Sequence, residues 1–204
     1  PLAVVRTELD VLQKKNAPEA GEYAQTLQSV SNQTERLSRV VEALLEMTGL
    51  ETIERRDHIS LSALAEEVLC DLAQVAEEKK VALVQDPGDA ELTGSDILLY
   101  RAVYNLVENA IKYSRPGGEV RVAIQRAGDT AHLQVTDTGI GIPRECWTEI
   151  FNPFVRVDKS RSRAMGGAGL GLALVREIAE LHGGSVRGLQ SSRQGTQFLF
   201  EIPI

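Results

Sequence analysis

The sequence predicts an α+β protein in which a layer of helices lies on a mixed sheet, with a helical hairpin in front of it. Three observations lead there. A heptad stripe runs through residues 22–49, alternating apolar positions mark a β-hairpin at residues 120–135, and helices and hairpins follow one another without strand–helix–strand alternation. At 204 residues the chain is long enough for one domain with an appendage and a core that needs no staples.

The elements follow in order. Leu2, Val5, Leu9 and Leu12 have helical spacing up to about Lys15, where Asn16-Ala-Pro-Glu-Ala-Gly21 breaks the pattern. A second helix is expected from Glu22 to Gly49, its stripe being Leu27, Val30, Thr34, Leu37, Val41 and Leu44. At 1.5 Å per residue it is about 40 Å long. A single hairpin cannot bury such a seam, so pairing with a second copy into a four-helix bundle is the expectation, with packing onto the body as the alternative. Residues 51–55 read as a charged linker between the hairpin, 1–50, and the body, 56–204.

In the body, Ile59 and Leu61 suggest a short strand, and Ser62 an N-cap. Leu64, Val68, Leu72 and Val75 suggest one helical face, and Val81–Gln85 a strand. A helix is expected over Ile97–Tyr113, ended by Ser114-Arg-Pro-Gly-Gly118. Val120, Val122 and Ile124, then Leu133 and Val135, form the hairpin across Gly128-Asp129. A helix over Leu170–His182 is capped by Gly183-Gly184, and two strands hold Val186 and Leu189, then Phe198, Phe200 and Ile202.

Composition narrows the function. With 22 Lys and Arg against 29 Asp and Glu, the net charge is −7, which disfavours general binding to nucleic acid or an anionic membrane. Cys70 and Cys146 form neither a CxxC pair nor a cluster with histidine, as in a reduced compartment without structural zinc. No run of 18 apolar residues and no signal peptide is present.

Three segments carry chemistry. Asn105, Asn109 and Lys112 share one helical face. Asparagine is a poor helix former, and its amide oxygen can ligate Mg²⁺ while lysine meets phosphate; a plain polar stripe is the alternative. Asp137-Thr-Gly139-Ile140-Gly141 follows a strand, so a carboxylate that can accept from an exocyclic amine stands beside glycines that admit a ligand closely; an ordinary turn is the alternative. Gly166-Gly167-Ala168-Gly169-Leu170-Gly171 opens a helix whose N-terminus suits a polyphosphate, with Lys159, Arg161 and Arg163 nearby. The long stretch between the last two segments contains Phe151-Asn-Pro-Phe154 and reads as a lid.

Taken together, these segments resemble the bacterial sensor histidine kinases of two-component systems, members of the GHKL ATPases with the Bergerat fold. Asn105-Leu-Val-Glu-Asn109-Ala-Ile-Lys112-Tyr113 resembles the N box and Asp137–Gly141 the G1 box. Phe151–Phe154 resembles the F box, Gly167–Leu172 the G2 box, and Gly195-Thr196 the last G box. The resemblance implies a two-layer α/β sandwich at residues 56–204 and a dimerising, phosphotransfer hairpin at 1–50.

By that resemblance Asn105 and Asn109 meet Mg²⁺ and the phosphates of ATP. Lys112 and Arg163 meet phosphate oxygens, and Tyr113 lines the phosphate side. Asp137 takes the adenine amine, with Gly139, Ile140 and Gly141 beside it and Thr196 closing the pocket. Gly167, Gly169, Leu170 and Gly171 frame the triphosphate. The implied activity is ATP-dependent protein-histidine kinase, followed by transfer to an aspartate on a response-regulator receiver domain. The implied setting is a cytoplasmic homodimer belonging to a membrane-anchored sensor. No histidine stands in residues 1–50; Pro1-Leu2 aligns with the end of the family's H-E-x-x-T-P-L motif, which puts the acceptor five residues upstream. His58, His132 and His182 read as structural or solvated, His182 as a cation favoured at a helix C-terminus. Glu108 lies about 100° around the helix from Asn109, away from the asparagine face. The alternatives are a GHKL ATPase that hydrolyses ATP to drive a clamp, whose branch resembles E-x-x-x-N where this chain has Asn105, which cannot take a proton, and a non-enzymatic nucleotide-binding docking module, which would need broken boxes where these are intact.

Overall fold

A computed structural model describes residues 2–14, 20–157, 169–192 and 194–204. Helices α1 (Leu2–Gln13) and α2 (Ala20–Met47) form the hairpin. Val30 and Leu37 of α2, and Val5 and Leu12 of α1, are half-buried, while Leu2, Leu9, Leu27, Val41 and Leu44 are exposed. The heptad stripe is therefore used only in part within the chain, and its other flank stays open. The expected linker is partly structured: Leu50–Thr52 form a 3₁₀ turn, and Leu50 is buried with the body's core.

Strand β1 (Asp57–Ser60) ends one residue earlier than the sequence suggested. The N-cap is Ser60, not Ser62: the Ser60 hydroxyl accepts from the Ala63 N–H, so Leu61 starts helix α3 (Leu61–Asp71) and is fully buried. The helix does not continue through Leu72. It restarts as α4 (Ala73–Glu78), which turns Ala76 inward and leaves Val75 exposed. After β2 (Ala82–Gln85) comes β3 (Glu91–Gly94), a strand not expected from the sequence, which pairs with β1 in a separate two-stranded sheet. Ser95 then caps α5 (Asp96–Tyr113) by accepting from the Leu98 N–H.

The main sheet adds β4 (Glu119–Ala127), β5 (Thr130–Asp137), β6 (Ser185–Ser192) and β7 (Gly195–Pro203), in the order β2-β4-β5-β7-β6. The β2–β4 pair is parallel and the others antiparallel. Register aligns the inward rows: Val122 faces Val135 and then Phe198, and Ile124 faces Leu133 and then Phe200. A register shift between Gly188 and Gln190 in β6 leaves Leu189 partly exposed.

Helices α3, α5 and α6 (Gly171–Leu181) cover this face and, with the sheet, give the expected two-layer α/β sandwich. Along α5, Leu99, Val103, Leu106 and Ala110 are buried, on the side of the helix away from the asparagines.

His182, at the end of α6, departs from the cation reading. Its Nε2 accepts the Ser95 N–H at 3.0 Å, and its Nδ1 lies 2.8 Å from the Ile178 carbonyl. The imidazole is therefore neutral with Nδ1 protonated, and burial lowers its pKa. A lowered folded pKa gives stability that is present above the ordinary value of 6.5 and lost as pH falls. His182→Ala is expected to cost about 1–2 kcal/mol at pH 8. The gap between wild type and variant should close below pH 6.5 in urea melts, and a gap that widens on acidification would contradict the assignment.

Candidate nucleotide site

Asp137 lies on the inward row of β5, continuing Ala131, Leu133 and Val135, and this places a carboxylate at the end of an apolar ladder. It is 6% exposed. Its Oδ1 accepts from the Gly139 N–H at 2.8 Å and the Thr196 N–H at 3.2 Å. Among the described residues both of its hydrogen bonds fall on Oδ1, so Oδ2 remains to accept from a ligand. Burial pushes the Asp137 pKa up to about 6, with the two N–H groups pulling the other way.

Strand β7 builds the opposite wall. Thr196 is buried, and its hydroxyl lies 3.3 Å from that of Ser191, which accepts the Ile142 N–H at 2.6 Å. Two glycines allow this closeness. A Cβ on Gly195 (φ +135°) would lie 1.8 Å from the Asp137 carbonyl oxygen, and one on Gly141 (φ +73°) 1.9 Å from that of Ser192. The Asp137–Gly141 loop is also stitched to α5, because the Ile140 N–H donates to the Tyr113 carbonyl at 3.2 Å. The Ile140 side chain is exposed.

On α5 the Asn105 amide nitrogen donates to the Arg101 carbonyl at 2.9 Å, which turns its oxygen outward. That oxygen meets the start of α6: a Cβ on Gly171 would come within 2.6 Å of Asn105 Oδ1 and 3.5 Å of Asn109 Nδ2. Leu170, the N-cap of α6, offers no side-chain cap, and among the described residues no partner is found for the first-turn N–H groups beside the asparagine face. Gly169 (φ +75°) receives the Phe154 N–H at its carbonyl, 2.8 Å away, fastening the phenylalanine element to the entry of α6. Phe151 packs edge-on against Phe198, with centroids 5.9 Å apart. Lys112 Nζ stands 5.6 Å from the centroid of the half-buried Tyr113 ring. Glu108 is exposed.

The structure thus brings Asn105, Asn109, Lys112 and Tyr113 of α5, the Asp137–Gly141 loop, Thr196 of β7 and the Gly169–Gly171 entry of α6 to one end of the sandwich. Arg163 and Gly167 lie outside the described residues, as do Lys159, Arg161 and Gly166. The sequence reading missed two contributors. Arg156 lies close enough to Tyr113 to counter the upward push of burial on its pKa, and nothing in its spacing marks it. Ser191 supports Ile142 and Thr196; its position on the strand preceding Thr196 was the only available signal.

Residues 94–204 match the family described as histidine kinase-, DNA gyrase B- and HSP90-like ATPases. The chain belongs to that family. It therefore carries an ATP-binding domain, and Asp137, Asn109 and Gly171 all fall within the matched segment. The chain is 35% identical over 175 residues to the sensor-like histidine kinase SenX3 of Mycolicibacterium smegmatis, covering 84% of this chain and 46% of that protein. It spans less than half the length of the curated relatives it matches first. Among solved structures it is similar to the mycobacterial sensor histidine kinase MprB, at 28% identity and TM-score 0.62 over 72% of this chain and 97% of that one. The histidine kinase ThkA, solved with the response regulator protein TrrA, shares the fold at 21% identity and TM-score 0.70, over 99% of this chain and 59% of that one. SenX3 and MprB, to which the matched region is similar, are sensor histidine kinases. Among the described residues no helix is long and apolar enough to cross a membrane.

Proposed function

We propose that the chain binds Mg-ATP and delivers the γ-phosphoryl to a histidine on a dimeric helical bundle, from which it passes to an aspartate of a receiver domain. The observation that carries this reading is the seating of Gly171 against Asn105 and Asn109, which sets the open N-terminus of α6 over the two amides. Adenine reaches Asp137 Oδ2, with Thr196 and Ile140 at its sides. The α6 amides and Lys112 receive phosphate oxygens, and Arg163 and Gly167 belong to the same cradle.

Asn105 and Asn109 would hold Mg²⁺. Their neutral oxygens suit a cation that takes few protein ligands and shares the phosphates. The only hydrogen bond found for Asn105 among the described residues is the one its nitrogen donates, so its oxygen is available. Magnesium supplies charge neutralisation on the phosphates. The chain's own part is to hold the nucleotide in line with the acceptor imidazole, since phosphoryl transfer rests mainly on positioning and charge stabilisation. The setting is cytoplasmic, with the hairpin at 1–50, the linker at 51–55 and the catalytic body at 56–204. A receiver partner is supported by the ThkA structure, which holds a response regulator.

A water-activating clamp ATPase is the second reading. It needs a carboxylate where Asn105 stands, and Glu108 is exposed on another side of α5. The two readings separate with γ-labelled ATP. The 204-residue chain should hydrolyse ATP slowly and acquire no acid-labile label on His58, His132 or His182. It should label an added helical hairpin that carries the acceptor histidine. Rapid turnover without transfer to the hairpin would favour the clamp reading.

The exposed flank of the hairpin accounts for the dimer. Leu27 and Val41 stand two heptads apart, Leu44 follows three residues on, and all three side chains are exposed. Leu27→Asp combined with Leu44→Asp is expected to weaken self-association by about 100-fold or more in sedimentation runs while leaving ATP affinity unchanged. A dimer that survives both substitutions would place the interface elsewhere.

A further inference from the structure

A groove of about 760 Å³ runs between α3, α4 and the edge strand β2, and it shares no residue with the nucleotide site. Leu69, Ala73, Val81 and Leu83 are among its apolar lining, and Glu66 and Glu77 stand exposed in its wall. Among the described residues β2 pairs only with β4. In a parallel pair, alternate residues direct both backbone groups to opposite sides. Ala82 and Asp86 donate toward β4, to the carbonyls of Gly118 and Val122. Leu83 and Gln85 therefore turn their N–H and C=O groups to the open edge, where no strand pairs with them among the described residues.

We propose that this edge accepts an added β-strand from another polypeptide, with apolar side chains at the centre of its inward face and Lys or Arg toward the ends. Strand addition takes its affinity from main-chain hydrogen bonds and its specificity from pockets for alternate side chains. Here the free groups of Leu83 and Gln85 supply the first, and the apolar floor between α3–α4 and β2 supplies the second. The charge preference follows from the wall. Asp86 is already paired with Arg121, whereas Glu66 and Glu77 make no ion pair among the described residues. A second copy of this chain is a poor occupant, because a net charge of −7 meets the acidic wall with like charge. The short strand and Pro87 limit the addition to a few residues, enough to blunt open-ended stacking.

The test uses a fluorescein-labelled nine-residue peptide in which valine and threonine alternate at the centre and two lysines stand at each end, with a peptide carrying glutamates in place of the lysines as control. The basic peptide should bind the chain one to one and slow amide exchange at Leu83 and Gln85. Glu66→Lys with Glu77→Lys should weaken it by about tenfold or more. Leu83→Pro should do the same, because it removes an N–H that the fold does not use and fills the edge. Thermal melting confirms that each variant is folded, and the charge-reversed variant, at two exposed positions, decides the matter if the proline variant is not. The proposal is overturned by any of three results: no binding up to about 1 mM peptide, a demand of only ~4 kcal/mol; equal binding of the glutamate peptide; or self-association that Leu83→Pro abolishes, which would assign the edge to a second copy.

Discussion

Asp137→Asn is expected to weaken ATP binding by about 1–3 kcal/mol and, in the same protein, to make the nucleotide-free fold more stable. The two effects share one cause. The sheet register carries a carboxylate into an apolar row, and burial raises its pKa to about 6. A raised folded pKa gives stability that is fully present below the ordinary value of 3.8 and lost as pH rises through about 6. At neutral pH the ionised Asp137 therefore burdens the empty protein by roughly 3 kcal/mol, since each pKa unit is about 1.4 kcal/mol. Asparagine keeps an oxygen for the Gly139 and Thr196 N–H groups and removes the charge. Its melting temperature at pH 7.5 should rise by a few degrees, about 2–4 °C per kcal/mol for a chain of this size. Calorimetric titration with ATP should show the lost affinity. Wild-type affinity should also fall as pH drops below about 6, and the variant's should not. A variant that binds ATP normally would remove Asp137 from the adenine contact.

Gly195→Ala should be the most damaging single methyl in the body. The added carbon would stand 1.8 Å from the Asp137 carbonyl oxygen, at a φ of +135° that L-residues rarely adopt. Backbone, not a flexible side chain, is in the way. The cost is about 3–5 kcal/mol, combining strain with displacement of β7 from β5. Because Thr196 is the next residue, the same shift moves the N–H that holds Asp137 Oδ1, and ATP binding should fail along with stability. Gly128→Ala, at a φ of +65° in the left-handed helical region and with open space around the Cβ, carries only the milder strain of that region, and about 1 kcal/mol is expected. Chemical denaturation of both variants checks the difference, and equal losses would show that the clash at Asp137 is relieved cheaply.

What could be read in advance divides by sequence distance. α5 and the β4–β5 hairpin were legible because their periodicity is local and strong. The boxes on them were legible because a family resemblance supplied the roles. β3 was not, since Glu91–Gly94 offers only Leu92 as an inward residue and four residues carry no period. Leu61 was misassigned because alternation with Ile59 imitates a strand, while the Ser60 cap, one residue away, decides for helix. His182 was misjudged because the general favour for a cation at a helix end ignores what else is there. The Ser95 N–H, 87 positions away in sequence, requires an acceptor. The supports of Asp137 lie equally far beyond local pattern: its contact with Thr196 spans 59 positions.

The order of the sheet also governs how the protein is made. β7 is the last strand in the chain, yet it sits between β5 and β6 rather than at a margin. Until β7 has emerged from the ribosome, β5 lacks one neighbour and β6 lacks the strand it pairs with. The apolar row from Ala131 to Val135 then has no Phe198, Phe200 or Ile202 beside it. The body therefore closes only after β7 itself has emerged. Until then the nascent chain exposes a strand edge and an apolar face of the kind that chaperones shield. Thr196 arrives on that same strand, so an intermediate that lacks β7 also lacks the N–H that holds Asp137 Oδ1.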